Sequence, residues 1–247
     1  MTKSPKVTSR LGTQTRSRKA QKNGHNANSR LPLFESYSPK ARTDVRFGNL
    51  GQFVHFLCCE GNPSIQQVDY VNRHFWPEGN RDKDDAGLFA TIVDSSDAVQ
   101  ILILGAESTR SERDIEKHAF YVERTLKCYP IRNGNAPTVG LVFSTVLEIK
   151  EKFEIRIRNW FEIIPWIAQV RNHHLSGHLQ MIQELLRVRA SISAAELRTI
   201  EKQDAKLSGL LVAAAFKGAG AGLWGSDLDT KALSTRTMFG TLQGDVK

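Results

Sequence analysis

Val99-Gln100-Ile101-Leu102-Ile103-Leu104-Gly105-Ala106-Glu107-Ser108 sets the architecture of this chain. Its first six residues are almost continuously apolar, which suits a central strand covered on both faces rather than one with a wet face. Just upstream, Leu88-Phe89-Ala90-Thr91-Ile92-Val93 is a second apolar, β-branched run, and Asp94-Ser95-Ser96-Asp97 between the two consists of turn formers. Together they predict a two-stranded hairpin.

Working outward, Leu50, Phe53, Val54, Phe56 and Leu57 fall on a broad apolar stripe at helical spacing, predicting a helix over Asn49–Glu60 that Gly61-Asn62-Pro63 ends. Ile65–Val71 reads as a strand, and Phe75–Asp85 as a polar loop. Downstream, Ser111–Cys128 reads as a helix, with Ser111 and Asp114 spaced as a capping box. Thr138–Val146 reads as a third core strand. Glu148–Trp166 is a helix that Pro165 should bend or end.

Residues 171–247 form a second unit. Leu179–Ala190 is amphipathic, Ser193-Ala194-Ala195-Glu196 caps a second helix, and Asp204 should start a third, closed by the glycines from Gly218 to Gly222. Residues 223–239 can form a small hairpin. Three short helices and a hairpin make a winged helix, whose third helix can enter a major groove.

Composition narrows the classes. Of 247 residues, 40% are hydrophobic, enough for a real core. No apolar run reaches the roughly 18–20 residues that span a bilayer. The first residues lack a secretory h-region, and the three cysteines form no even framework, so a reducing cytoplasm without structural zinc is expected. His173, His174 and His178 read as side chains on the solvent side of a helix rather than as metal ligands, since positions 174 and 178 would share a helix face but no acid or Cys partner is evident, and Cys58-Cys59 as packing. Residues 1–43 hold ten Lys or Arg against one acid, Glu35; the whole chain is +8, so the basic balance belongs to this end and the rest is near neutral. Residues 1–35 therefore read as a basic, disordered tail that gains affinity for nucleic acid by counterion release.

The order of these pieces, and several residues, resembles the TnsA family, the endonuclease subunits of heteromeric bacterial transposases. The resemblance covers roughly residues 36–240. Phe47, Glu60, Pro63 and Ile65 sit where the family's phrases place Phe, Glu, Pro and an aliphatic, and Val99, Ala106, Glu107 and Ser108 agree with a V-L-V-E-V-K-P-A-E-S phrase. Asp227-Leu228, Leu233-Ser234 and Thr237 match an ending of the form D-L-x-x-x-x-L-S-x-x-T. The resemblance implies an α/β chain: a restriction-endonuclease-like core of the PD-(D/E)-x-K type over 36–170, then a winged-helix domain over 171–247.

It also implies where catalytic residues would stand, and there the chain departs from the pattern. The metal-binding Glu falls on Gln52, the catalytic Asp on Gly87, the Glu or Gln on Leu102 and the Lys on Leu104. Mg²⁺ needs hard oxygen ligands, mainly carboxylates, and such nucleases use the ion to orient water and stabilise phosphate charge. The expectation is a nuclease fold with no catalytic residues and no resident cofactor. It would act as a DNA-binding assembly subunit beside a DDE-type transposase and an AAA+ regulator. Arg16, Arg18, Lys19, Lys22, Lys40, Arg42, Lys202, Lys206 and Lys217 are the candidates for phosphate contact. Two alternatives stand beside it. One is an active Mg²⁺ endonuclease with ligands displaced to Asp84, Asp85 or Glu107. The other is an unrelated winged-helix DNA-binding regulator.

Overall fold

The computed structural model describes residues 34–47, 50–70, 88–96, 98–104, 139–144, 146–204, 207 and 209–240. They form a mixed α/β structure. Residues 1–33 of the tail, the 75–85 loop and the 111–128 helix lie outside these residues; Phe34 and Glu35, assigned to the tail, stand in a strand instead.

Strands β1 (Phe34–Ser38) and β2 (Thr43–Phe47) make an antiparallel hairpin. Helix α1 (Leu50–Gly61) follows, and every residue from Val54 to Gly61 is buried. That includes His55 and Glu60, so the last two turns are enclosed rather than amphipathic. Then come β3 (Ile65–Asp69), β4 (Leu88–Asp94), β5 (Val99–Leu104) and β6 (Val139–Ser144). They lie side by side in that order; β3, β4 and β5 run antiparallel and β6 runs parallel to β5. A parallel neighbour across so long a connection requires a crossover, not a hairpin. The β4–β5 turn is closed by Asp94, whose carboxylate accepts the N–H groups of Ser96 (2.8 Å) and Ala98 (3.0 Å).

Helix α2 (Val146–Gln169) is longer than the sequence suggested. Pro165 neither ends nor breaks it, because the proline and Phe161, four residues earlier, both lie on the exposed face, where a released carbonyl can meet water. The departure from helical geometry is at Phe153 instead (φ −128°, ψ 25°).

The C-terminal part has helix α3 (Ser176–Arg189), strand β7 (Ser191–Ser193), helices α4 (Ala194–Gln203) and α5 (Leu210–Gly220), then strands β8 (Gly225–Ser226) and β9 (Met238–Gly240). The small sheet has the order β7-β9-β8 and is antiparallel throughout. The expected cap on α4 is present: Ser193 Oγ accepts from Glu196 N at 3.2 Å, and Ser193 N donates to Glu196 Oε2 at 2.8 Å.

One expectation about α5 is corrected and one is met. Asp204 ends α4 instead of starting α5, and it is the Glu201 carboxylate that takes the first α5 amides, from Leu211 (2.8 Å) and Val212 (3.0 Å). The glycines from Gly218 to Gly222 close the helix, which ends at Gly220, and Gly218 and Gly220 are also required by packing. A Cβ there would stand 2.1 Å from the Trp224 ring and 2.4 Å from the Trp160 ring. The terminator is Gly222 at φ +72°, in a Schellman arrangement where Leu223 N donates to Gly218 O and Gly222 N to Ala219 O.

One apolar core runs from the β1–β2 hairpin to Phe239. Trp160 of α2 joins its two parts, packing on Gly61 at the end of α1 and on Gly220 at the end of α5.

Candidate functional site

The last two turns of α1, the β3–β5 face and the first half of α2 line an open cavity of about 480 Å³. Residues His55, Cys58 and Cys59 line it from α1, at the spacing of one helical face, and Asn62 from just past the helix end. Gln100 and Leu102 are two apart on β5 and therefore share a sheet face, and both line it, as does Ile92 of β4. Lys152, Phe153 and Arg156 line it from α2, beside the break in that helix.

This is the sheet face on which the resemblance would set a catalytic carboxylate. Leu102 occupies that register position, paired with Ala90 on one side and Val142 on the other, and is only 4% exposed. Leu104 is the last residue of β5, opposite Ser144. Gln52 is half-buried in the first turn of α1, three residues before His55 and so on the cavity side by helical period. Gly87, Asp84, Asp85 and Glu107 lie outside the described residues.

The titratable groups that α1 brings to the cavity, His55, Cys58 and Cys59, are held in neutral forms, while Glu148, Lys152 and Arg156 line it from α2. Burial pushes His55 down to about 4 and the Cys58 thiol up to about 12, and it raises Cys59 as well. A thiol in that state is a poor metal ligand. Among the described residues, no three His, Cys, Asp or Glu side chains are arranged to hold a metal ion. His174 precedes α3, which starts at Ser176, so it does not share a helix face with His178.

Several residues of the resembling phrases have structural work. Glu60 is fully enclosed. Burial raises its carboxyl, while donors pull it back: Ser38 Oγ at 2.5 Å, Tyr70 Oη at 2.9 Å and Lys40 N at 3.1 Å. This cluster ties the β1–β2 turn to α1. Lys40 was expected on a phosphate, but its ammonium donates inward to Asn62 O at 2.6 Å and to Ile65 O. Burial brings it down to about 8. Its role is to hold the α1–β3 loop.

The residues of the segment between β8 and β9 are tied down in the same way. Asn159 of α2 donates to Leu228 O and Lys231 O, both at 2.7 Å, and accepts Leu233 N at 2.8 Å. Arg156 forks onto Asp229 at 2.7 and 2.5 Å. Asp227 accepts Met238 N at 2.9 Å, and Thr237 Oγ1 accepts Ser234 N at 3.0 Å. The sequence offered the D-L…L-S-x-x-T pattern but held no sign that Asn159 and Arg156, about seventy residues earlier, were its partners.

Of the remaining phosphate candidates, Arg16, Arg18, Lys19, Lys22 and Lys206 lie outside the described residues. Lys202 is exposed at the end of α4. Arg42 is exposed in the β1–β2 turn at φ +53°. Lys217 is half-buried on α5. That helix is otherwise buried from Leu211 to Gly220 and packs against α2, α3 and α4. It has no free face to lay in a major groove, contrary to the expectation for a third helix of this kind.

No protein-family model, no curated protein and no solved structure matches this chain. Among the described residues, no helix is long and apolar enough to cross a membrane.

Proposed function

We propose that this chain is a DNA-binding, assembly-type subunit of a heteromeric transposition complex, built on a nuclease fold that lacks its metal-binding residues. One observation supports the reading: Leu102, which the resemblance would align with the acidic or amide residue of a PD-(D/E)-x-K centre, is a buried leucine lining the sheet side of the pocket. A leucine offers Mg²⁺ nothing, and the neighbouring thiols and imidazole are neutral.

Two further features support the ancestry. The run α1-β3-β4-β5-crossover-β6, with three antiparallel strands and one parallel neighbour, is the order expected of a restriction-endonuclease-like core. The run α3-β7-α4-α5-β8-β9, with β9 central in its sheet, is the order expected of a winged helix. Because α5 is covered, that winged helix serves as a packing module docked on α2 and does not read bases. DNA contact then falls to cations outside α5's buried faces and to the basic N-terminal segment. Such contacts position a protein without reading sequence. The partners in this reading are DNA, a DDE-type transposase subunit and an AAA+ regulator.

The test is co-purification. Genes for a DDE transposase and an AAA+ ATPase should lie beside this one, and the transposase subunit should retain this chain on a column while leaving it able to shift duplex DNA in a gel. An absence of both associations would sink the proposal.

A further inference from the structure

We infer that the cleft between the end of α2 and α4 holds an unpaired nucleotide of single-stranded DNA, its base against Trp166 and its phosphate on Arg198. The inference rests on the DNA-binding reading above and deepens it, by naming a face of the molecule and the state of the strand.

The cleft has a volume of about 640 Å³, inside the roughly 300–1,000 Å³ of pockets that take a small organic ligand. It shares no lining residue with the cavity beside Leu102. Trp166 and Val170 line it from the end of α2 and just beyond, Arg198 and Glu201 from α4, and Leu210 and Ala213 from the first turn of α5. Trp166 is 36% exposed there, whereas Trp160 and Trp224 are buried. Phe216 of α5 braces the indole, with ring centroids 5.8 Å apart. The Arg198 guanidinium lies over the same indole, 5.6 Å from its centroid.

The chemistry of the cleft suits a nucleotide. Among the described residues no acid pairs with Arg198, whereas Arg156, Arg171 and Arg189 each have one. A guanidinium laid on an aromatic face keeps its N–H edges for a phosphate, which it grips with a planar fork. The acid in the cleft, Glu201, is committed elsewhere, because its Oε1 accepts Leu211 N and Val212 N. The charge left to answer a ligand is therefore positive. Lys202 is exposed four residues after Arg198, on the same side of α4 and about 6 Å along its axis. One strand laid along α4 gives each cation a phosphate. Those cations alone would suit any nucleic acid, and the indole decides the strand. In a duplex the base faces are spent on one another. An unpaired base has a free π-face, and its stacking on an aromatic ring is tolerant of sequence. A run of carboxylates on a peptide would answer Arg198 and Lys202 but has no planar face for Trp166.

The full chain is titrated onto a labelled thymidine oligonucleotide and onto a labelled duplex, each across a salt series read by anisotropy. Tryptophan emission is followed in parallel with unlabelled oligonucleotide. The variants are Trp166→Ala, Trp166→Phe and Arg198→Gln, and melting curves check that each folds. Trp166→Ala should weaken single-strand binding about tenfold and leave the salt slope alone, because it removes stacking and no charge. It should leave duplex binding unchanged. Trp166→Phe keeps a ring and should lose less affinity, but it should abolish most of the emission change. If Trp166→Ala does not fold, Trp166→Phe and Arg198→Gln carry the test. Arg198→Gln should lower the single-strand slope by about 0.7, the share of one phosphate. Single-strand affinity, slope and emission change equal to the parent's in the folded variants overturn the site, as does a parent chain that binds no single strand. An equal loss on duplex and single strand in Trp166→Ala overturns the assignment of strand state. A polyglutamate peptide that reproduces the emission change and displaces the oligonucleotide overturns it in favour of a protein partner. A parent chain that shows these single-strand effects but binds neither duplex nor a transposase subunit ends the broader reading and leaves the cleft standing.

Discussion

Trp160 and Gly220 touch: a Cβ on Gly220 would lie 2.4 Å from the indole Cη2 and 3.2 Å from Glu60 O. Because Gly61 makes the same demand on the other edge of the ring, one tryptophan clamps the ends of α1 and α5 together. Gly220→Ala and Gly61→Ala should each cost about 1–3 kcal/mol through overpacking. The double variant should deviate from the sum, because both act on one ring. Urea denaturation of the four proteins checks this; additive, sub-kilocalorie costs would contradict the clamp.

Gly177 is the contrasting case. It lies in α3 with nothing within 4 Å of an added Cβ and no positive φ. Gly177→Ala should stabilise the protein by up to about 1 kcal/mol, from helix propensity and reduced chain entropy. A loss of stability in the same urea series would show that the site is not open.

Asn159 saturates three backbone groups of the segment after β8 from a buried position. Asn159→Ala should cost about 2–3 kcal/mol, since buried partners are left unsatisfied. Hydrogen exchange should speed up selectively at Leu233, whose amide it holds. Uniform acceleration across the chain would argue against a local clamp.

The acid side of the stability curve should carry a His55 signature. Burial holds its folded value at about 4, below the ordinary 6.5. The unfolded chain therefore takes up the proton first, so the stability is fully present above pH 6.5 and falls as pH drops toward 4. The size is about 3 kcal/mol over that window at about 1.4 per pH unit. Glu60 acts in the opposite sense, because its raised carboxyl favours the folded state at low pH. The difference between the parent and His55→Gln isolates the histidine. A parent curve parallel to the variant's between pH 4 and 6.5 would refute it.

Leu102 separates a packed face from a hydrated one. Leu102→Glu buries an unpaired carboxyl and should cost at least about 3 kcal/mol. Leu102→Phe extends into the adjoining cavity of about 480 Å³ and should cost less than about 1 kcal/mol. Thermal melting of both variants checks the contrast; a well-tolerated glutamate would mean that the face is wet.

The local parts of this fold were legible in sequence. The stripe from Leu50 to Leu57, the Asp94–Asp97 turn and the Ser193–Glu196 box are short-range patterns, and each produced its element. What escaped reading was set by distant partners. Gly218 and Gly220 were legible as part of a helix stop but not as packing sites, because only the folded chain brings Trp224 and Trp160 against them. Asp204 looked like a cap because Glu201's reach across to α5 depends on the angle between two helices. Lys40 looked like a phosphate ligand because nothing near it in sequence announced the carbonyls of Asn62 and Ile65. The apolar character of the candidate site, by contrast, is legible at Leu102 itself, which lies inside the continuous apolar run of β5.

The central claim is that this fold binds without cutting. Supercoiled plasmid incubated with the full chain and Mg²⁺ or Mn²⁺, at protein concentrations that retard it in a gel, measures this directly. The account predicts retarded plasmid that is fully supercoiled once the protein is stripped away. Nicked or linear product that disappears in Asp85→Ala would contradict it.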